Sequence, residues 1–245
     1  MKREAFELNY EFELTHWWFR ARRDILIDEI NYHQARPGFP SHPKILDYGC
    51  GTGGLTQSLE PFGEVFGVDE YQEAVDFCLQ RNMKNINQIH SIEEIPSSSY
   101  DIITCFDVLE HIEDDAFIIK NFLRILKEKG WLFLTVPALN LLWSGEDVVS
   151  QHKRRYRKNE IKDILLQNNF DILKLSYMNS FLFPVIAPLR MWNRYFRPST
   201  LNRSDVYDVP SFLNEILYHI FALEKYILRY WNFPMGVSLL VIARK

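Results

Sequence analysis

A cluster of four glycines within six residues constrains the fold of this 245-residue chain more than any other feature. The glycines are Gly49, Gly51, Gly53 and Gly54. They follow an apolar run that ends at Asp47 and precede a second apolar run, 65–68. Such density indicates a backbone that bends through conformations closed to residues with a Cβ atom, or that passes close to a ligand. The segment 44–71 therefore predicts a buried strand, a glycine-rich turn, a short helix whose N-terminal amides point into that turn, and a second strand.

The second strand ends in an acidic pair, Asp69 and Glu70, about 20 residues after the first glycine, which is the spacing at which a carboxylate receives ribose hydroxyls. The glycines also match G-x-G-x-x-G, the pattern of a dinucleotide site. Asp47 argues against a pyrophosphate, because its negative charge would repel one. S-adenosylmethionine has an ammonium, a sulfonium and a ribose but no phosphate, and it suits both acids.

The stretch DYGCGTG at 47–53 resembles the first motif of the class I S-adenosylmethionine-dependent methyltransferases, a hydrophobic strand followed by acid-x-G-x-G-x-G. The resemblance runs from about residue 44 to 176 and resumes at the C-terminus. It implies a three-layer α/β/α Rossmann-like fold with a seven-stranded sheet, whose last strand is antiparallel and lies next to the fifth. It also implies S-adenosylmethionine as the cofactor and S-adenosylhomocysteine as the product.

The chain is predicted to form a single methyltransferase domain over 1–245, because its length suits one large α/β domain with a proper core. Residues 1–43 form an N-terminal helical lid and 44–178 the cofactor-binding core. A helical cap is inserted at 179–235, and 236–245 form the closing strand.

Composition narrows the function classes. The net charge of −4 gives no general electrostatic case for nucleic acid. Apolar runs stay well below the ~20 residues of a membrane span, and the acidic N-terminus does not match a signal peptide. The three cysteines lie apart in apolar segments and are typical of a reducing compartment. We therefore expect a cytoplasmic protein that needs no metal.

The resemblance implies further cofactor contacts around the glycine turn. Asp47 and the turn hold the methionine end, and Asp69 holds the ribose. Glu70 or Tyr71 is expected to border the adenine, although Tyr71 equally suits the buried face of the next helix. Ser91 stands where the family usually has an aspartate that meets the adenine amino group, and Ile92 becomes an apolar wall. The full set of predicted cofactor contacts is Asp47, Gly49, Cys50, Gly51, Gly53, Asp69, Glu70, Tyr71, Ser91, Ile92, Phe106 and Asp107.

The segment 138–161 follows the fifth predicted strand on the ligand side of the sheet and is expected to line the acceptor pocket. His152 is the best general-base candidate there, because histidine titrates near ~6.5. The basic run that follows it suits the binding of an anionic acceptor group or, alternatively, a solvated surface. Many similar methyltransferases have His followed by R-R-Y at this place. The predicted acceptor contacts are Trp143, Arg154, Arg155 and Tyr156, with Trp17 and Trp18 from the N-terminal arm.

His111, in the stretch DVLEH, is a second catalytic candidate, although a role in orienting the following helix is favoured. The N-terminal arm is predicted to contain a helix over 16–32, capped by Thr15, whose aromatic start roofs the active site or packs across the sheet. His16 is a weaker candidate for the base. The aromatic insertion reads as an apolar cap over the acceptor, in preference to a peripheral membrane contact.

The sequence therefore predicts methyl transfer from S-adenosylmethionine to a small-molecule, sugar or lipid-linked acceptor, O-methylation being favoured. A nucleotide-dependent oxidoreductase is one alternative, which Asp47 disfavours. A non-catalytic cofactor-binding module is the other. A monomer and a homodimer are both compatible with the sequence.

Overall fold

One mixed sheet of seven strands organises the protein, in the order β3-β2-β1-β4-β5-β7-β6. The structure is a computed structural model that describes residues 3–197, 199 and 204–245. The strands are β1 Lys44–Tyr48, β2 Glu64–Asp69, β3 Ile86–Gln88, β4 Tyr100–Phe106, β5 Leu126–Pro137, β6 Asp171–Met178 and β7 Ser238–Arg244. The first five are parallel, and β7 runs antiparallel between β5 and β6. The predicted fold, including the position of the closing strand, is confirmed.

Helices cover both faces of this sheet and form the N-terminal arm and the insertion. They are α1 Arg3–Phe12, α2 Trp17–Gln34, α3 Gly54–Gln57, α4 Gln72–Gln80, α5 Asp115–Ile125, α6 Gly145–Val149, α7 Lys158–Gln167, α8 Phe183–Phe196, α9 Ser211–Ala222 and α10 Glu224–Leu228. Since the sheet is sandwiched, its central strands are apolar on both faces. Leu46, Ile103, Leu134 and Val241 are all fully buried.

The strand order reverses between β1 and β4: β2 and β3 lie on one side of β1, and β4 and the later strands lie on the other. In an open α/β sheet this reversal leaves a crevice outside the carboxyl ends of the strands, because the loops on the two sides diverge. The glycine turn after β1 and the acid at the end of β2 both lie at this edge. The fold thus brings the sequence features of the first motif to one place.

Two boundaries differ from the sequence prediction. The apolar periodicity of 115–128, followed by Gly130, is typical of a helix that stops at the glycine, but α5 ends at Ile125 and β5 begins at Leu126, which is fully buried and pairs with Tyr100. The pairing then shifts to Ile102 with Trp131, so Gly130 lies inside an irregular stretch of strand. In the arm, α2 is capped by His16 and not by Thr15, since the His16 Nδ1 accepts the Trp18 N–H at 3.4 Å.

Candidate functional site

A cavity of about 510 Å³ lies at the carboxyl edge of the sheet, where the strand order reverses. Its floor is the glycine turn and the ends of β1, β2 and β4. Its roof is the start of α2 and one face of α8. The loop between β5 and α7 closes one side through Glu146, His152 and Arg155. Elements from the arm, the core and the insertion therefore share one pocket.

The glycine turn requires glycine for two different reasons. Gly49 has a φ of +77°, and a Cβ added there would lie 2.4 Å from a methyl group of Val108. Gly51 has a φ of +54°, but a Cβ there would meet no atom within 4 Å. Gly49 thus lets the turn pack tightly against the loop after β4, and Gly51 leaves the backbone open toward the cavity.

Asp69 fixes the turn from the end of β2. Its Oδ2 accepts the Gly51 N–H and its Oδ1 accepts the Tyr71 N–H, both at 3.0 Å. Burial raises the pKa of Asp69, and the two amide hydrogen bonds oppose that rise. The side chain is almost buried and still lines the cavity. The Asp69 carboxylate and the glycine turn therefore hold each other in position.

Asp47, on β1, lies at the bottom of the same cavity. Its two oxygens accept the hydroxyls of Thr56 at 2.6 Å and Thr104 at 2.7 Å. Burial raises its pKa, although the two hydroxyl bonds oppose that rise. The two carboxylates suit an ammonium and ribose hydroxyls, and they disfavour a pyrophosphate. The residues of this floor therefore fit S-adenosylmethionine.

His152 is held by a buried carboxylate. Its Nδ1 lies 2.8 Å from Oδ1 of Asp147, which also receives the Nε of Arg155 at 2.7 Å. The second terminal nitrogen of Arg155 binds Oδ2 at 2.9 Å, so the guanidinium is bidentate. Burial opposes ionisation of Asp147, but the His152 hydrogen bond and the Arg155 charge hold its pKa well below the usual range. The imidazole is thus oriented with Nε2 toward Glu110, and both residues line the cavity.

Glu110 and His111 lie against that ring. Nε2 of His152 is 3.9 Å from Oε1 of Glu110, and the two imidazoles meet edge to face with centroids 4.7 Å apart. Glu110 is fully buried and its carboxyl oxygens have no hydrogen-bond partner among the described residues. Burial, with the charge of Asp107, raises its pKa, while burial and His152 lower the pKa of His111 to about 3.

This cluster bears on the expectation that no metal is needed. Glu110, His111 and His152 offer ligand atoms that all lie within 4.8 Å of one another. One carboxylate and two imidazoles are a donor set that divalent transition metals accept. The sequence does not show that these three residues lie close together, because His152 follows the other two by about forty residues.

Asp107 pairs across the cavity with Arg22 of α2, at 2.6 Å. The same guanidinium lies over the rings of Trp18, 5.2 Å from the centroid, and Phe106, 5.8 Å from it. Asp107 has a positive φ of 57°, which turns the chain sharply at the end of β4. The ion pair fastens the N-terminal arm to the floor of the site.

Most of the predicted site residues line the cavity. These are Trp17, Trp18, Asp47, Gly49, Cys50, Gly51, Asp69, Glu70, Tyr71, Phe106, Asp107, His111, His152 and Arg155. Arg155 lines the cavity, but its guanidinium is bound to Asp147. These contacts do not match the predicted role of Arg155 in binding an anionic acceptor group.

Six predicted residues are not brought to the cavity: Gly53, Ser91, Ile92, Trp143, Arg154 and Tyr156. Ser91 caps the turn Ile92–Glu94, and Ile92 is buried in the core. Arg154 and Tyr156 both bind Asp115, at 3.1 and 2.8 Å, because a buried phenol and a half-buried guanidinium need a partner. Their contacts hold α5 in place, and neither residue lines the cavity.

Sequence reasoning missed Arg22, Glu110 and Asp147 as site residues. Two of them had a local signal. Arg22 is four residues after Trp18, one helical turn further on the same face. Asp147 is an acid in a segment with apolar neighbours, five residues before the candidate base. Glu110 stands beside His111, and the sequence there favours the start of a helix over acid–base chemistry.

Comparisons with known proteins identify the family and support the fold. Residues 18–175, more than half of the chain, match a family model described as a methyltransferase domain. The ubiquinone biosynthesis O-methyltransferase of Nitrosomonas europaea is 29% identical over 138 residues, which cover 51% of this chain and 59% of that protein. The chain thus spans about three fifths of the length of this curated relative.

Two solved structures share the fold. A S-adenosylmethionine-dependent methyltransferase from Archaeoglobus fulgidus superposes with a TM-score of 0.54 and 18% identity, over 89% of this chain and 94% of that one. Phosphoethanolamine N-methyltransferase 2 of Haemonchus contortus, in complex with S-adenosylmethionine, gives 0.56 and 18% identity, over 88% and 51%. The family match covers more than half of the chain, and the chain therefore belongs to this methyltransferase domain family, with a fold that solved S-adenosylmethionine-dependent methyltransferases share.

Proposed function

We propose that the protein methylates a hydroxyl group of a small-molecule acceptor, with His152 as the general base. The observation that carries this proposal is the chain of contacts from Arg155 through Asp147 to His152. It presents an oriented imidazole nitrogen to the cavity. A hydroxyl needs such a base, because it is a weak nucleophile until its proton is removed.

The cofactor is assigned to the floor of the cavity. Asp47 and the turn around Gly49 and Gly51 hold the methionine end, and Asp69 holds the ribose. Tyr71 is half-exposed at the rim, with its ring 5.5 Å from that of Phe6, and it borders the adenine. The bound cofactor supplies a methyl group already activated by a sulfonium.

Bound S-adenosylmethionine would supply the methyl group to the acceptor oxygen and would leave as the thioether S-adenosylhomocysteine. The hydroxyl proton passes to Nε2 of His152. Asp147 stabilises the imidazolium that results, and Arg155 keeps Asp147 in position and ionised. Trp17, Trp18 and α8 exclude water above the reacting atoms, which favours a displacement of this kind.

The name of the curated relative supports an oxygen acceptor, since it is an O-methyltransferase. Neither alternative function has comparable support. Asp47 at the floor disfavours the pyrophosphate of an oxidoreductase cofactor, and a binding module has no use for a buried Asp–His pair facing the cavity.

Methyl-labelled S-adenosylmethionine tests the proposal. Incubation with small-molecule extracts of cells, prepared in water and in organic solvent, should move label into a product with an ether linkage. His152→Gln should lower the rate by about 100-fold or more. Arg154→Gln is the matched control and should retain the rate, because Arg154 binds Asp115 away from the cavity. Label on nitrogen or carbon, or full activity of His152→Gln, would overturn the assignment.

A further inference from the structure

Glu13, the residue that follows α1, binds the glycine turn from the N-terminal arm. Its Oε2 accepts the Gly54 N–H at 3.1 Å, and its carboxylate also has a side-chain hydrogen bond with Thr52. Both Glu13 and Thr52 line the cavity. A carboxylate of the arm therefore fixes two residues of the turn that forms the cavity floor.

Arg81 joins this contact from the end of α4. Its Nε donates to the Thr52 carbonyl at 2.8 Å, and a terminal nitrogen pairs with Oε1 of Glu13 at 2.5 Å. The side chains of this ion pair are only 9% and 12% exposed. Removing one partner of such a pair would leave the other charge buried without compensation. The pair therefore ties the arm, α4 and the turn to one another.

The rest of α1 packs along α4 as far as the other end of the cavity floor. The ring of Tyr10 lies 4.8 Å from that of Phe77, and the guanidinium of Arg81 lies 4.3 Å from the Tyr10 centroid. One turn earlier in α1, Phe6 packs against Tyr71 at the rim assigned to the adenine. The arm thus contacts the floor at both the glycine turn and the adenine rim.

The composition of the turn explains why it needs such contacts. Four glycines in six residues are costly to fix, because glycine loses more conformational freedom on ordering than any other residue. Asp69 fixes the turn at Gly51, and Glu13 with Arg81 fixes it at the residues that follow. A ligand that binds a loop already held in its bound shape does not have to supply the free energy of ordering. Contacts made by the arm should therefore raise the affinity for a ligand on the floor.

We propose that Glu13 is a positioning residue for cofactor binding. Through Thr52, Gly54 and Arg81, it holds the glycine turn in the shape that receives the methionine end of S-adenosylmethionine. The first helix of the arm is then part of the cofactor site, in addition to the roof that α2 provides. This proposal rests on the assignment of the cofactor to the cavity floor.

Calorimetric titration with S-adenosylmethionine, with no acceptor present, tests the role of Glu13. Glu13→Ala removes the partner of both Gly54 and Arg81, so the Kd should rise by about 10-fold or more. Glu13→Gln keeps an oxygen for the Gly54 N–H but loses the charge, so the Kd should rise by only about 3-fold. The matched control Glu11→Ala removes the same charge from an exposed position on α1 and should bind as the native protein does.

A second control separates positioning from stability. Ile161→Val shortens a fully buried side chain of α7 that does not line the cavity. It should lower the melting temperature and leave the Kd unchanged. All titrations are made well below the onset of unfolding, and Glu13→Gln carries the test if Glu13→Ala does not fold.

Three outcomes are decisive. A native Kd in the folded Glu13 variants, or an equal rise in Glu11→Ala or Ile161→Val, would overturn the proposal alone. No binding by the native protein would overturn the cofactor assignment together with the proposal. Methyl transfer to an atom other than oxygen, with the Kd values as predicted, would count against the proposed function and leave the role of Glu13 in place.

Discussion

At the scale of single residues, the site depends on carboxyl groups whose environments differ sharply. Asp147 is buried yet kept ionised by Arg155 and His152, whereas burial and the charge of Asp107 raise the pKa of the equally buried Glu110. The sequence shows both as acids near histidines. Only the fold decides which one receives a bidentate arginine, so their separate roles could not be predicted from residue type.

Asp147→Asn tests the residue-scale account. The neutral amide stabilises the protonated imidazole less, so we expect label transfer to fall by about 100-fold while S-adenosylmethionine binding is retained. Rates are compared by single-turnover transfer at a temperature well below unfolding, because the variant leaves the Arg155 charge without its partner. A normal rate with a lowered melting temperature would make Asp147 structural only.

Glu224 gives a pH-dependent prediction. Its buried carboxylate accepts the N–H groups of Ser180 and Phe181, and burial raises its pKa to about 7 against the opposing effect of these bonds. A raised pKa means that its contribution to stability is complete below about 4.5 and lost as the pH rises through about 7. The native melting temperature should therefore fall over this range relative to that of Glu224→Gln.

Glu215→Gln is the control for that experiment, because Glu215 is exposed and Arg20 lowers its pKa. It should not reproduce the difference. Parallel melting curves for the native protein and Glu224→Gln from pH 5 to pH 8 would contradict the assignment of Glu224.

At the scale of elements, the first motif could be predicted well and the connections poorly. The strand, glycine turn and acid at 44–69 have signals within a few residues of each other, and the structure has them as expected. The side chains of Arg154 and Tyr156 bind Asp115, which is some forty residues away in the sequence. The sequence around them gives no sign of that partner, so a basic run was read as a ligand site.

The packing of the glycine turn on the loop after β4 yields an element-scale prediction. Gly49→Ala should destabilise the protein by about 1–3 kcal/mol, because the Cβ meets Val108 and the φ is positive. Gly51→Ala should cost less, since its φ is positive but its Cβ would be free. The measurement is urea unfolding, and Val108→Ala should partly restore Gly49→Ala. Equal effects at both glycines would contradict the account.

At the scale of the whole molecule, the arm, the core and the insertion all contribute residues to the cavity. Asp107 and Arg22 join the core to the arm, while α8 joins the insertion to the loop at 140–142. Composition and periodicity predicted a helical insertion. They could not show whether its apolar residues face the core or the solvent. An amphipathic pattern shows only that these residues share one side of a helix, not what that side packs against.

Chelation tests the expectation that the reaction needs no metal. If His152 acts as a base held by Asp147, label transfer should be unchanged after dialysis against EDTA, because no step requires a Lewis acid. Loss of transfer that zinc or magnesium restores would instead assign Glu110, His111 and His152 to a metal ion, whose ligand atoms already lie within 4.8 Å of one another. Arg154→Gln is again a suitable control for nonspecific effects.

The central claim is that the cavity floor binds S-adenosylmethionine through the turn and Asp69. Isothermal titration calorimetry of S-adenosylmethionine and S-adenosylhomocysteine tests it directly, with NADPH as the competing ligand class and Asp69→Ala beside the native protein. We predict binding of both sulfur ligands by the native protein, its loss in Asp69→Ala, and no heat with NADPH. Binding of NADPH, or sulfur-ligand affinity that is unchanged in Asp69→Ala, would contradict the account.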